Sequence, residues 1–346
     1  MEHDDERMTT HTAAPAALTA RREGPLLWAA IAVTVVLWAS AFVGIRAAGA
    51  DFSPGALTLG RIAVGSVALT IVRLVLVRRR RRLAAAVIGR SPHAERRDRV
   101  PRGPVLALVV VWGVAWFGVY NIALNAAEQH VDAGTAALLV NIAPMITAVL
   151  AGLLLGEGFP RRLVVGMAVA LTGVVVIAVS TSTGRFDAIG VVLGLLAAVV
   201  YGCGAALQKR LLRDVDAPTI TWLGCVAGTI ACLPFAPQLV SALAAAPASS
   251  VLAVLYLGIF PTAIAFTTWG YVLSRSTAGR TAASTYAVPA VVVLLSWLVL
   301  DETPPVAALL GGALALAGVA VATLRRGRPD LETIRGRPLP AVRGVE

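Results

Sequence analysis

Ten long apolar blocks, separated by short polar segments, make up most of the chain. They lie at 26–46, 54–77, 104–126, 133–155, 162–180, 188–208, 217–236, 249–271, 279–300 and 305–324. A helix needs about 20 consecutive apolar residues to cross the hydrocarbon layer of a membrane, whereas barrel strands alternate in polarity over about 10 residues. The pattern therefore predicts an all-α integral membrane protein with about ten transmembrane helices.

Composition and the placement of charge agree with a membrane protein. Of the 346 residues, 58% are hydrophobic and 14% are charged, against about 25% charged residues in soluble domains. The net charge is +11, but the basic residues concentrate in the two tails and in every second loop. This distribution is the positive-inside pattern of membrane proteins, and it argues against nucleic acid as a partner.

The same rule predicts the topology. Both termini are expected in the cytoplasm, with 1–25 as an N-terminal tail and 325–346 as a disordered C-terminal tail. Residues 78–103 form a long basic loop on the same side, and we expect Arg78–Arg82 to contact anionic lipid head groups. An arginine-rich composition with a single lysine is typical of GC-rich bacterial genomes, so a bacterial plasma membrane is the expected location.

The chain repeats itself at a distance of 145 residues, which aligns 112–176 with 257–321 without a gap. The coinciding pairs are Pro144 with Pro289, Glu157 with Glu302, Pro160 with Pro305, Gly166 with Gly311 and Gly173 with Gly318. Each half, 26–180 and 188–324, holds five blocks. Because five is odd, the second half crosses the membrane in the opposite sense. Inverted repeats of this kind open a central site to each side in turn, which indicates a transporter working by alternating access.

Several motifs resemble those of a known family. They are Leu-Trp-Ala-Ser-Ala-Phe at 37–42, Ala-Pro at 143–144 followed by Leu-Gly-Glu at 155–157, and Val-Pro at 288–289 followed by Leu-Asp-Glu at 300–302. With Arg61, they resemble the EamA-type members of the drug/metabolite transporter superfamily over 26–324. Asp301, Ala39 and Ala41 depart from the family pattern. The resemblance implies two EamA-like five-helix repeats and secondary transport, with export of amino acids or related small metabolites as the commonest assignment.

Arg61 is the first candidate for a substrate contact. It lies about two turns inside the second block. An arginine there costs ~2.5–3.5 kcal/mol on insertion scales, so it usually faces a polar cavity or a partner. We interpret it as a guanidinium that binds a substrate carboxylate or lines the path. The alternative, which the sequence leaves open, is a structural arginine that binds helix-end carbonyl groups.

Polar and aromatic side chains inside the blocks complete the predicted path. In lipid such groups need partners and should point into the bundle, although each of them also fits a role as a contact between two helices. The candidates are Trp38, Ser40, Asn121, Asn141, Tyr201, Trp269 and Tyr286. Asn141 and Tyr286 occupy equivalent positions in the two repeats, one turn before Pro144 and Pro289.

The repeat singles out two further pairs. Pro144 and Pro289 are expected to kink their helices beside the substrate, because a proline inside a helix frees a backbone carbonyl group. Glu157 and Glu302 are gating candidates that pair with a base in one conformation. The favoured alternative is that each glutamate caps the N-terminus of the next helix and fixes the hairpin between consecutive helices.

The sequence lacks the motifs of an enzyme or an ATP-driven pump. All four histidines lie outside the blocks, and no HExxH, GxSxG or Walker motif occurs. We therefore expect no catalytic residues, no metal site and no cofactor. Coupling to protons or to another ion stays open and would use Glu157, Glu302 or another group near a helix end. A homodimer also stays open.

Two alternatives to an amino-acid exporter remain at this point. The first is an efflux carrier for hydrophobic or cationic drugs, which the aromatic residues permit but which Arg61 disfavours, because it repels cations. The second is a non-transporting membrane sensor or scaffold. That function would be favoured if Arg61 and the polar residues of the blocks faced lipid.

Overall fold

A computed structural model describes residues 14–86, 100–131, 133–181, 187–300 and 304–324, and their regular secondary structure is entirely helical. The helices are α1 (Ala14–Gly49), α2 (Pro54–Ala86), α3 (Pro104–His130), α4 (Ala133–Val140), α5 (Ala143–Leu154), α6 (Arg161–Thr181), α7 (Ala188–Leu211), α8 (Ala217–Ala231), α9 (Ala236–Ala245), α10 (Ala248–Arg275), α11 (Ala278–Ser284), α12 (Ala287–Leu300) and α13 (Val306–Thr323). Glu302, the C-terminal tail, residues 1–13 of the N-terminal tail and most of the basic loop lie outside the described residues.

Eight of the described helical stretches are long and apolar enough to cross a membrane. A ninth crossing results if α8 and α9, which meet at 50°, form one span. A shorter apolar stretch covers Leu138–Leu154. The prediction of an all-α protein with many membrane-spanning helices is confirmed, while the number ten stays a prediction.

Two helices run further than their apolar blocks. Helix α1 begins at Ala14, well before the first block, and α2 continues to Ala86, so that the first part of the predicted basic loop is helical. Arginine and alanine have high helix propensities. They continue a helix after the sequence has ceased to be apolar, and hydropathy therefore marks the membrane boundary rather than the helix end.

Interruptions of the helices recur in both repeats. Helices α4 and α5 are separated by a turn at 141–142, and α11 and α12 by a turn at 285–286. A π-helical turn occupies Val114–Tyr120 in α3 and Gly258–Ile264 in α10. With the shift of 145 residues these positions agree to within one residue. The duplicated sequence therefore reproduces local backbone geometry as well as composition.

The two repeat-related prolines follow these turns instead of kinking a continuous helix. Pro144 is the second residue of α5 and Pro289 the third residue of α12. The N–H groups of a first helical turn have no partner within the helix, so a proline there costs no hydrogen bond. The predicted kinks are thus breaks, and each proline begins the second helical segment.

Helices α6 and α13, the last of each repeat, pack closely through glycines. A methyl group at Gly166 would lie 2.7 Å from the carbonyl oxygen of Gly318, and one at Gly173 would lie 2.5 Å from that of Gly311. In the repeat, Gly166 is equivalent to Gly311 and Gly173 to Gly318. Gly166 therefore faces the repeat equivalent of Gly173, and Gly173 faces the repeat equivalent of Gly166. This is the arrangement of a contact around a two-fold axis.

Candidate functional site

A cavity of about 690 Å³, including its opening, lies among helices of both repeats. Six of the residues singled out from the sequence are at its wall: Trp38, Arg61, Asn121, Asn141, Pro144 and Tyr201. The two sequence repeats therefore meet around a common cavity.

Arg61 faces this cavity and not lipid, with 5% of its surface exposed. Its Nε donates a 3.3 Å hydrogen bond to Oγ1 of Thr262. The Thr262 hydroxyl in turn donates to the carbonyl oxygen of Leu257 at 2.8 Å, five residues earlier. Thr262 belongs to the π-helical turn of α10, so this turn presents the oxygen that orients the guanidinium.

Aromatic rings form one wall of the cavity. The ring centroid of Trp38 lies 5.3 Å from that of Phe266 and 6.2 Å from that of Tyr201, and Trp116 lies 5.2 Å from Tyr201. Phe266 and Trp116 were not singled out in the sequence, although both line the cavity. The two contacts of Trp38 are edge-to-face, an arrangement that aromatic pairs favour. The wall is therefore a packed aromatic surface beside the Arg61 guanidinium.

Asn121 lines the cavity and also stabilises the π-helical turn of α3. Its Nδ2 donates to the carbonyl oxygens of Trp116 at 3.0 Å and Phe117 at 3.1 Å. Asn141 occupies the turn between α4 and α5, and Thr285 occupies the equivalent turn of the second repeat, where it accepts a 3.4 Å hydrogen bond from the Tyr201 hydroxyl. The interrupted helices thus bring polar groups of both repeats to the cavity.

Three predicted path residues lie between helices, outside the lining of this cavity. The Ser40 hydroxyl shares a 2.6 Å hydrogen bond with the Tyr256 hydroxyl and so joins α1 to α10. Trp269 lies behind Trp38 and donates to Oε1 of Gln208 at 2.9 Å. Tyr286 is fully buried in an apolar cluster with α6 and α13. These side chains make contacts between helices, and their place in the substrate path stays a prediction.

Glu157 caps a helix, but not the one that follows it in the chain. Its carboxylate accepts hydrogen bonds from the backbone amides of Ala278 at 2.7 Å and Gly279 at 3.1 Å, which begin α11 in the other repeat. The favoured sequence interpretation assigned it to α6. A carboxylate at a helix N-terminus is stabilised by the unpaired amides and the helix dipole, and here those amides come from across the molecule.

Lys209 completes the cluster around the start of α11. Its Nζ donates to the carbonyl oxygens of Leu273 at 2.7 Å and Ser276 at 2.6 Å, at the C-terminus of α10. It also interacts electrostatically with Glu157. The junction between α10 and α11 is therefore held on one side by a cation at carbonyl groups and on the other by an anion at amides.

In the sequence Glu128 lies between the third and fourth apolar blocks, at 104–126 and 133–155, but in the structure it is a half-buried residue of α3. It interacts electrostatically with Arg46 and Arg61. Its Oε1 is inaccessible to solvent and has no hydrogen-bond partner. The helical spacing from Asn121 and Asn125 is the sequence signal that would have placed it on the same face of α3.

Asp187 caps α7 near the end of α3. Its Oδ1 accepts a 2.9 Å hydrogen bond from the backbone amide of Ile189, and its Oδ2 lies 2.8 Å from Nδ1 of His130. These bonds, first that of the amide and then that of the imidazole, lower the pKa of the Asp187 carboxyl group.

Within the described residues, no group of three metal-ligating side chains is arranged around a common point.

Comparison with known proteins agrees with this architecture. The chain is 37% identical over 86% of its length to a protein of Streptantibioticus cattleyicolor described as a probable terminal-alkyne amino-acid exporter, of which 93% is covered. It is 27% identical over 65% of its length to a probable amino-acid metabolite efflux pump of Salmonella typhimurium, of which 78% is covered. A crystal structure with 22% identity superimposes with a TM-score of 0.65, covering 86% of this chain and 96% of the other.

The sequence profile of the EamA-like transporter family matches residues 26–179 and 188–324, which is most of the chain. Its relatives are transporters and not enzymes. This protein therefore belongs to the EamA-like transporter family, as a multi-pass membrane protein that carries a small molecule.

Proposed function

We propose that this protein is a secondary transporter that exports amino acids or related small metabolites by alternating access. The observation that carries the proposal is Arg61, a buried cation at the wall of an aromatic cavity between the two repeats. The names of two relatives, an amino-acid exporter and an amino-acid metabolite efflux pump, support the same cargo.

Arg61 is proposed to bind the carboxylate of the substrate. A guanidinium forms paired, charge-assisted hydrogen bonds with a carboxylate, and Thr262 engages its Nε. Trp38, Trp116 and Phe266 offer an apolar surface beside it, which favours an amino acid with an apolar side chain. The same cation disfavours a positively charged drug, because it would approach a buried like charge.

The contact of Glu157 with α11 is proposed to be a gate. It joins the two repeats beyond the cavity, and Lys209 holds the adjoining end of α10. Access to the cavity from this end would require these groups to separate. An exchange of conformations between inverted repeats provides such a motion. The gate and the cap are therefore proposed to be the same contact.

The proposed location is a bacterial plasma membrane with both termini in the cytoplasm. The positive-inside distribution of arginines supports it, as do relatives from bacteria. In this orientation the Glu157 contact faces the cytoplasm. The arginines at the end of α2 would lie at the same surface, where anionic head groups attract them.

The test is uptake of a panel of labelled amino acids into proteoliposomes, with and without a pH gradient. The proposal expects saturable uptake, lost in Arg61→Ala and kept in the matched variant Arg275→Ala, since Arg275 is exposed and stacks on Tyr271. Gel filtration establishes that each variant is folded. Transport of cationic drugs in place of amino acids would contradict the proposed cargo, and a folded protein that moves neither would favour a sensor or scaffold.

A further inference from the structure

Helix α3 presents three polar side chains on one face, at spacings of four and three residues. They are Asn121, Asn125 and Glu128. Residues three and four apart on a helix are neighbours on its surface. Asn121 lines the cavity, as does Leu124, one turn before Glu128. The face therefore runs from the cavity wall toward the end of α3, where Glu128 interacts electrostatically with Arg61.

Asn125 is buried, with 4% of its surface exposed, and the orientation of its amide is fixed by its neighbours. Its Nδ2 donates to Oγ1 of Thr58 at 3.0 Å and to the carbonyl oxygen of Pro54 at 3.4 Å. The Thr58 hydroxyl already donates to that same carbonyl at 2.8 Å, so its oxygen accepts from Asn125. The remaining amide atom, Oδ1 of Asn125, is a buried acceptor without a donor.

Glu128 supplies a second acceptor of this kind three residues later. Its Oε1 is also inaccessible and without a hydrogen-bond donor. Buried acceptors are nearly always satisfied in folded proteins, and those that are not call for an explanation. Two of them on one helix face, one carrying a negative charge, form a place where a cationic donor is stabilised.

We propose that Glu128 and the amide oxygen of Asn125 receive the α-ammonium group of an amino acid whose carboxylate is bound by Arg61. This inference rests on the proposed function of the cavity. An ammonium group has three donors and no acceptor, so it matches a set that offers only acceptors. Glu128 is half-buried, and binding requires its carboxylate to turn toward the cavity, whose lining is one helical turn away at Leu124.

The charges around the site favour a zwitterion over a free cation. Arg46 and Arg61 both interact electrostatically with Glu128, so a group that approaches the acid also approaches two arginines. A lone amine or metal ion is repelled by both, whereas a zwitterion brings its own carboxylate to Arg61. In an α-amino acid the carboxylate and the ammonium are attached to the same carbon. The carboxylate therefore brings the ammonium to Glu128 against the repulsion of the arginines.

Binding to the purified full-length protein in lipid nanodiscs tests the inference. Labelled norleucine is displaced by unlabelled norleucine or by hexanoate, which is the same molecule without its ammonium group. The wild type is expected to prefer norleucine by about tenfold or more, the size of a charge-assisted contact. In Glu128→Gln this preference should fall below about twofold, because norleucine loses the ammonium contact, while the affinity for hexanoate stays equal or rises, because a negative charge near Arg61 is removed.

Gln129→Glu is the matched control, because it places an acid on the exposed neighbouring position of α3. It is expected to keep the wild-type preference. A Glu128→Gln protein that still prefers norleucine overturns the inference and leaves the proposed function standing. So does a wild type that binds norleucine and hexanoate equally, a result that needs no variant to fold. If the wild type binds neither compound, the proposed cargo fails, and the inference fails with it.

Discussion

The carboxylate of Glu157, in the first repeat, accepts a 3.1 Å hydrogen bond from the backbone amide of Gly279, in the second repeat. The neighbouring amide of Ala278 donates to the same carboxylate at 2.7 Å. One side chain thus holds the first turn of α11 from a loop more than a hundred residues earlier.

Replacing Glu157 with alanine is expected to loosen the start of α11. Hydrogen bonds to charged groups contribute about 1.5–3 kcal/mol, and two of them would be lost. Hydrogen–deuterium exchange of peptides covering 276–286 should therefore become faster than in the wild type. Asp214→Asn, which removes an exposed acid from the turn after α7, is the control and should leave this exchange unchanged. Unaltered protection in Glu157→Ala would mean that the cap contributes nothing.

Arg61→Lys keeps the charge in the cavity but removes the planar pair of donors. Lysine does not replace arginine where two parallel hydrogen bonds to a carboxylate are formed. The apparent KM for amino-acid uptake is expected to rise about tenfold, and it is measured in proteoliposomes beside Arg275→Lys as a surface control. A KM that does not change would show that the guanidinium geometry has no part in binding.

Gly173→Ala is expected to destabilise the contact between α6 and α13. The added methyl group would lie 2.5 Å from the carbonyl oxygen of Gly311, and overpacking of this kind costs about 1–3 kcal/mol. Thermal unfolding should occur several degrees lower than in the wild type. Gly24→Ala is the matched variant, since nothing lies within 4 Å of its added methyl. Equal unfolding temperatures for the two variants would contradict the close approach.

Tyr286→Phe is expected to leave transport unchanged. The Tyr286 hydroxyl is buried without a hydrogen-bond partner in an apolar cluster. Removing an unsatisfied buried hydroxyl is neutral or stabilising. Uptake kinetics equal to the wild type, with an equal or higher unfolding temperature, are the expected result. A loss of uptake would return Tyr286 to the substrate path predicted from the sequence.

The Asp187 cap gives stability a dependence on acid. Its pKa is lower in the folded protein than the ~3.9 of an unfolded chain. The stability that the Asp187 carboxylate contributes is therefore present above about pH 4, and it is lost as the pH falls through the pKa of this group in the folded protein. The difference in unfolding temperature between wild type and Asp187→Asn should be largest near neutral pH and vanish in strong acid. A difference that stays constant with pH would exclude the carboxylate as its cause.

The class of protein and its duplication could be predicted from the sequence because both rest on local patterns. An apolar block indicates a membrane helix whatever its neighbours are. The duplication is visible because the paired prolines and glycines keep the same spacing in both repeats. The wall residues Trp38, Arg61 and Asn121 were found for the same reason. Each is polar or aromatic within a block, and such groups point inward in lipid.

Other features depend on contacts distant in sequence. The partner of Glu157 lies in α11, and no local rule assigns a carboxylate to a helix of another repeat. The role of Ser40 is decided by Tyr256, which only the packed bundle brings to 2.6 Å. Glu128 was not singled out because a charged residue just beyond an apolar block predicts a loop, whereas α3 continues to His130.

The glycine contact between α6 and α13 also has a consequence for the transport cycle. When inverted repeats exchange conformations, each contact is replaced by its repeat-related counterpart. The pairs Gly166–Gly318 and Gly173–Gly311 are counterparts of each other, so the exchange reproduces the same interface. We therefore expect this interface to be kept in both access states. A substitution there should change the stability of both states to a similar extent, with little effect on the equilibrium between them.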